Sequence, residues 1–489
     1  MLLFLFSLTV LFSFHVAVAE EPPPTTGAKP AALMPGLGQH QHAIATTNPE
    51  AQRFFDQGLV LVYGFNHDEA VRSFQRAAEL DPQAAMPWWG IALALGPNIN
   101  LDVDPAREKA AYDAVQKARA LAAQAPENER AYIAALAKRY SLDPTVDLKK
   151  LAVNYKNAMG ELVKHYPDDL DAATLYAESA MDLRPWQLWN ADGKPAPGTQ
   201  EIVAVLESVL ARDPYHPGAN HYYIHAVEAS PHPERALPSA ARLGTLIPAA
   251  GHLVHMPAHI YMRTGDYPAA AQSNAAAVEV DRAYIHDTGV QGIYPLMYYG
   301  HNLHFLSAAQ AMAGRFTEAK QAADQLAELE APAVKEMPMV EFFLSTPTFV
   351  LLRFQRWNDV LHAPAPDPGL PVTTVVWHFA RSLAHAATGD VENAESDHRA
   401  FASGAEALPA DALLSATNTS RPVLRLAETV LDARIAAAKG EKKQAIAHWR
   451  KAVAVQDTLA YDEPPAWYYP VRESLGGALL RDGQYREAE

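Results

Sequence analysis

The chain has 489 residues, 49% of them apolar and 20% charged, which is the composition of a folded protein with a substantial core. Its formal net charge of −16 argues against nucleic acid or an anionic membrane as a partner. It contains no cysteine, which excludes disulfides, iron–sulfur clusters and thiolate metal sites and leaves histidine, carboxylate and methionine as metal ligands.

Residues 1–19, MLLFLFSLTVLFSFHVAVA, are almost wholly apolar and end in Ala17-Val18-Ala19 before Glu20, the small-residue pattern of a cleaved signal peptide. A basic leading segment is missing, so an uncleaved N-terminal anchor is the alternative. The expectation is a periplasmic or secreted protein with no membrane span once the signal is removed. Residues 20–50 begin rich in Pro, Gly and Ala and read as a disordered linker and N-terminal arm. The arm carries His40-Gln41-His42, a weak metal-binding signal.

From Ala51 the sequence runs AQRFFDQGLVLVYGFNHDEAVRSFQRAAELDP. Counting Ala51 as position 1, small or aromatic residues fall at 8 (Gly58), 20 (Ala70), 24 (Phe74) and 27 (Ala77), with Pro82 at 32. This resembles the tetratricopeptide repeat, a helix-turn-helix unit of about 34 residues. Further copies start at Pro217, Gly251 and Gly300, with weaker ones near Ala85, Glu341, Val375, Leu426 and Tyr469. Pro167, Pro214 and Pro248 each fit position 32. The resemblance covers most of residues 51–489 and implies an all-α tetratricopeptide-repeat solenoid. Irregular repeats are expected at 100–164, and an inserted loop at 285–299, IHDTGVQGIYPLMYY, where it can lid a groove. The sequence stops just after Ala488 at position 20, so the last helix pair is expected to be truncated or frayed.

Histidines concentrate where three copies meet. NHYYIHAVE carries His221, His225 and Glu228 at positions 5, 9 and 12. GHLVHMPAHIYMRTGDY carries His252, His255 and His259 at 2, 5 and 9, with Met262 and Arg263 at 12 and 13. GHNLHF carries His301 and His304 at 2 and 5. Positions 2, 5, 9, 12 and 13 lie on one side of helix A, about 140° from the packing positions 4, 7, 8 and 11. In the repeat family that side lines the concave groove. Seven of these fifteen slots are His, whereas His378, His385 and His398 fall on packing positions and His67 in a turn, which marks those four as core or semi-buried.

Two to four imidazoles with one carboxylate suit a divalent transition metal, zinc, copper or iron, and the spacing does not choose among them. Copper(I) would call on Met262 or, less well aimed, Met256 or Met297. His286, Asp287 and Tyr294 of the insertion, and Tyr298 beside the third stripe, are candidate supports. Pro257 at position 7 implies a helix that is kinked or starts late.

Two other uses fit the same residues: a polar groove that grips a peptide or protein, and a cationic patch with Arg263 that takes an anion. No H-E-x-x-H, G-x-S-x-G, phosphate loop or dinucleotide fingerprint is present, so catalysis has no signature of its own. If a bound ion kept an open position, Glu228 or a groove tyrosine would be the base for a hydrolase or oxidase.

Overall fold

The computed structural model describes residues 31–409 and 411–489. The signal-peptide reading of 1–19 lies outside them. Among the described residues the chain is all-α, with a few 310 and π turns and no strand.

The first helix pair shows why the repeat folds. Asn48 caps α1 (Pro49–Tyr63) by accepting from the amides of Glu50 and Ala51, and Pro49 occupies the first turn, where its missing N–H costs nothing. Asn66 caps α2 (His67–Leu80) in the same way through Glu69. A Cβ at Gly58 would stand 2.6 Å from the Phe74 ring, and one at Gly90 2.5 Å from its other face. The two glycines therefore let the helices close on Phe74 with no gap.

Two further pairs follow as α3 (Met86–Leu95) with α4 (Pro105–Leu121), and α5 (Glu127–Leu136) with α6 (Leu148–His165). Helix α5 is short, and residues 137–147 separate it from α6. Next come α7 (Leu170–Met181) with α8 (Thr199–Arg212), and α9 (Pro217–Glu228) with α10 (Leu237–Leu246). Helices α2, α6, α8 and α10 each end two residues before the proline at position 32.

The sixth pair is split on its first helix into α11 (Gly251–His255) and α12 (Pro257–Thr264), followed by α13 (Tyr267–Thr288). The seventh is α14 (Gly300–Met312) with α15 (Phe316–Glu330). The last four of the weaker copies are also helix pairs: α16 (Thr346–Arg353) with α17 (Trp357–His362), α18 (Pro371–Thr388) with α19 (Val391–Ala407), α20 (Ser420–Ala438) with α21 (Lys442–Gln456), and α22 (Val471–Arg481) with α23 (Tyr485–Ala488). Among the described residues no helix is long and apolar enough to cross a membrane.

Two expectations change. Residues 31–47 are not a free linker. They lie extended against the first helices of several pairs, held by side chains that capture backbone. Gln57 bonds both the Met34 amide and the Ala32 carbonyl, Gln52 bonds the Ile44 amide and the His42 carbonyl, and the Ala45 amide donates to Glu129. The insertion at 285–299 is not a lid loop. Its first residues continue α13 to Thr288, and Tyr294–Tyr299 form a π-helical turn that runs into α14.

The groove does not stay open along its length. The first pair turns back onto the fifth and sixth: a Cβ at Gly218 would lie 2.5 Å from the Tyr63 ring, and the Tyr284 hydroxyl donates to Glu69 at 3.1 Å. The histidine stripe is enclosed between them.

Candidate metal centre

Helix α9 is helical because Pro217 opens it and the His216 ring nitrogen Nδ1 caps it by accepting the Ala219 amide. It carries His221, His225 and Glu228 inward, all buried. Pro257 has no N–H to give the preceding turn, and the helix breaks at Met256, where the His259 amide makes a 310-type bond to the Met256 carbonyl at 3.2 Å. The break lets α11 and α12 aim His252, His255 and His259 at two neighbouring points. His301, partly exposed, comes from the first turn of α14.

The imidazoles form two triads. In one, ligand atoms of His221, His225 and His252 lie within 4.8 Å of one another; in the other, those of His255, His259 and His301 do. His252 Nε2 is 3.1 Å from His221 Nε2. His255 Nε2 is 2.7 Å from His259 Nε2 and 3.1 Å from His301 Nε2.

The protons can be placed from partners that only accept. His221 Nδ1 donates to the Tyr63 carbonyl at 2.6 Å. His225 and His259 donate through Nδ1 to separate oxygens of Glu228, at 2.8 and 2.5 Å. His255 Nδ1 donates to Asn274 Oδ1 at 2.7 Å, and that amide is oriented by its own NH2, which donates to the Ala270 carbonyl. Burial holds His221, His255 and His259 below the ordinary histidine range, so each carries its one proton at Nδ1 near neutral pH and keeps a lone pair on Nε2. His225 Nε2 is buried with no partner.

Burial, then repulsion from neighbouring imidazoles, holds His221, His252, His255 and His301 well below the ordinary histidine range. Burial alone would push the Glu228 carboxyl up, but the adjoining His225 and His259 hold it down at about 2. With His221, His252, His255 and His301 all held low, most of the stripe is uncharged near neutral pH, which argues against the cationic patch.

Aromatic residues wall both triads. Phe65 lies 4.6 Å from His221 and stacks at 5.3 Å on His252, while Phe305 lies 5.0 and 5.2 Å from His255 and His259. Phe65 and Trp186, which meets His225 edge-on at 5.8 Å, hold φ of 55° and 59°. Such left-handed backbone costs on the order of 1–3 kcal/mol per residue and tends to collect at functional sites.

The remaining sequence candidates are distributed as follows. His304 is not in either triad; it packs against Phe342 and Phe343. Met262 packs beside the Ala258–Phe305 cluster rather than at a triad. Arg263 donates to the carbonyls of Glu228 and Ser230, and its guanidinium covers the Tyr461 ring at 5.5 Å. Tyr298 meets His252 edge-on at 5.4 Å. Tyr294 donates to Asp281, and the exposed His286 pairs with Asp287, so neither covers the triads. Tyr461, from the segment between α21 and α22, joins His225, Glu228 and Trp186 around a small recess.

The site residues missed from sequence are Tyr63, Phe65, Trp186, Asn274 and Tyr461. Only Asn274 left a signal. It stands at repeat position 24, where Phe74, Leu206 and Ala240 are apolar.

The His40-His42 arm forms a separate cluster on Asp171. His40 Nε2, His42 Nδ1 and His216 Nε2 approach its carboxylate at 2.9, 2.8 and 3.2 Å, and the Tyr63 hydroxyl donates at 2.5 Å. Because His216 Nδ1 accepts the Ala219 amide, its Nε2 carries the proton and donates to Asp171. Burial would raise the Asp171 carboxyl, yet the His216, His40 and His42 donors hold it well below the usual carboxylate range. The cluster is a hydrogen-bond hub whose side chains are also grouped closely enough to hold an ion, since the ligand atoms of His40, Asp171 and His216, and those of His42, Asp169 and Asp171, lie within 4.8 Å of one another.

No protein-family profile matches the chain, and no curated protein matches it. Among solved structures, yeast Tom70 is similar at 9% identity and a TM-score of 0.31, over 90% of this chain and 84% of that one. Human IFIT1, as a dimer with m7Gppp-AAAA, matches at 13% identity and a TM-score of 0.35, over 91% of this chain and 89% of that one. The P58(IPK) TPR domain matches at 13% identity and a TM-score of 0.23, over 89% of this chain and 99% of that one. At these scores the tetratricopeptide-like fold rests on the helix pairs themselves.

Proposed function

We propose that this protein binds divalent transition-metal ions, zinc, copper or iron, through the two histidine triads enclosed by its fifth, sixth and seventh helix pairs. One observation carries the reading. His255 and His259 face each other through Nε2 lone pairs 2.7 Å apart, with both Nδ1 protons committed to Asn274 and Glu228. Where each ring carries only its Nδ1 proton the two lone pairs repel, and a metal ion lying against both relieves that repulsion. Zinc takes imidazole at about 2.0–2.1 Å, which spaces tetrahedral ligand nitrogens about 3.3 Å apart, a small outward step from this arrangement. Asn274 and Glu228 then act as the outer partners that fix tautomer and ring direction. Elemental analysis of protein purified without a His tag should find bound metal that is lost in His255→Ala/His259→Ala. Metal content unchanged in the double variant would sink the proposal.

A second reading, a groove that grips an extended peptide or protein segment, draws support from residues 31–47, which lie against the helices in that manner. It requires a stoichiometric partner whose binding is abolished by Gln52→Ala and Gln57→Ala; a partner indifferent to both changes would remove it.

A further inference from the structure

We infer that the two triads hold two unlike ions: a tight one at His255, His259 and His301, and an exchangeable one at His221, His225 and His252 that takes a small anion from the recess. The inference rests on the metal reading above and deepens it.

A single ion cannot serve all six rings. Among the described residues the one ligand group that mixes the triads is His225, Glu228 and His259, and it joins them through Glu228. That carboxylate gives one oxygen to a ring of each triad. It is thus an outer partner shared by two centres. An ion bound in one triad draws charge out of its imidazole and makes that ring the stronger donor to Glu228. Less carboxylate charge is then left for the other ring, and the two cations also repel across a buried, low-dielectric gap. Both effects separate the affinities.

The order follows from how each triad is built. At His255, His259 and His301 the Nε2 atoms already converge at 2.7 and 3.1 Å, and the first two rings are locked by Asn274 and Glu228. At the other triad His252 Nδ1 is buried without a partner, so that ring is the least anchored. His225 lines the recess with Trp186 and Tyr461, which leaves its ion a side open to incoming ligands. Imidazole binds a metal as a neutral ligand, so a divalent ion in that triad carries its charge uncompensated and favours an anionic fourth ligand: hydroxide, or a small anion of similar size.

The test is titration of metal-free, untagged protein with Co²⁺, read by the ligand-field spectrum and elemental analysis. Wild type should take up two ions with dissociation constants about tenfold or more apart. Azide should alter the spectrum of the weaker ion alone. His221→Ala and His252→Ala should each keep one azide-insensitive ion, and His301→Ala should lose the tight one. Circular dichroism of each metal-free variant verifies folding, and agreement between the two separate variants of the weaker triad guards against a misfolded one. A single ion per chain, two ions of equal affinity, or azide acting on the ion that survives in His221→Ala would overturn the inference while leaving metal binding intact. No Co²⁺ uptake at all would overturn the metal reading itself.

Discussion

At the scale of single residues, Asp281 shows what enclosing this site costs. Its carboxyl is buried about two turns before the end of α13, directly under Gly251, where a Cβ would stand 1.8 Å from Oδ1; that position must be glycine for the carboxyl to fit. Tyr294 and Asn302 donate to its two oxygens at 2.7 Å each. Burial pushes the carboxyl up to about 7 against those donors. The sign follows from linkage. A carboxyl whose folded pKa is raised contributes stability in full below its unfolded value of 3.8, and that contribution is lost as pH rises toward 7. The loss is at most about 4 kcal/mol across the window, from the size of the shift. Chemical denaturation of metal-free Asp281→Asn should therefore show a shallower fall in stability between about pH 4 and about pH 7 than wild type does. Parallel pH profiles would show that this carboxyl is not the group responsible.

At the scale of elements, the repeat register was legible and the site only half so. Gly58 against Phe74, and prolines two residues beyond α2, α6, α8 and α10, are packing rules that leave their mark on one repeat's own residues. The histidine stripe was legible for the same reason, since one face of one helix depends only on spacing. The break at Pro257 was legible too, because a missing N–H is a property of one residue. What the break does was not. Convergence of His255 and His259 on one point depends on the direction α12 takes after Met256, which packing on α13 decides. His304 shows the converse: it shares the stripe's spacing, but the 310 segment Pro338–Ser345 brings Phe342 and Phe343 against it. Phe65 and Trp186 owe their places to left-handed backbone, which side-chain identity does not signal for an aromatic residue. The insertion carried Gly289, Gly292 and Pro295, turn residues by composition, yet two of its three parts are helical because they bridge α13 and α14 over buried Tyr294 and Tyr298.

At the scale of the whole molecule, the arm and the candidate metal centre are joined through one residue. The Tyr63 hydroxyl donates to Asp171 and its carbonyl accepts from His221. His216, which donates to the same carboxylate, also caps the helix that carries His221, His225 and Glu228. Asp171 therefore ties residues 31–47, the first pair and α9 into one unit. Burial alone would lower the His42 pKa, but Asp171 beside it leaves it raised above 6.5. Its contribution is complete below 6.5 and is lost as pH climbs through the raised value. Limited proteolysis should then cut within residues 31–47 faster at about pH 8.5 than at about pH 6, in wild type and not in His42→Asn. Asp171→Asn removes the shared charge and turns one of the two accepting oxygens into a donor NH2, a loss of roughly 3–5 kcal/mol by analogy with broken buried pairs. It should expose the arm at both pH values. Because Tyr63 and α9 loosen with it, the weaker metal ion at His221, His225 and His252 should dissociate faster while the ion at His255, His259 and His301 is retained. Arm cleavage that rises in Asp171→Asn with both ions unaffected would separate the two clusters and confine Asp171 to holding the arm.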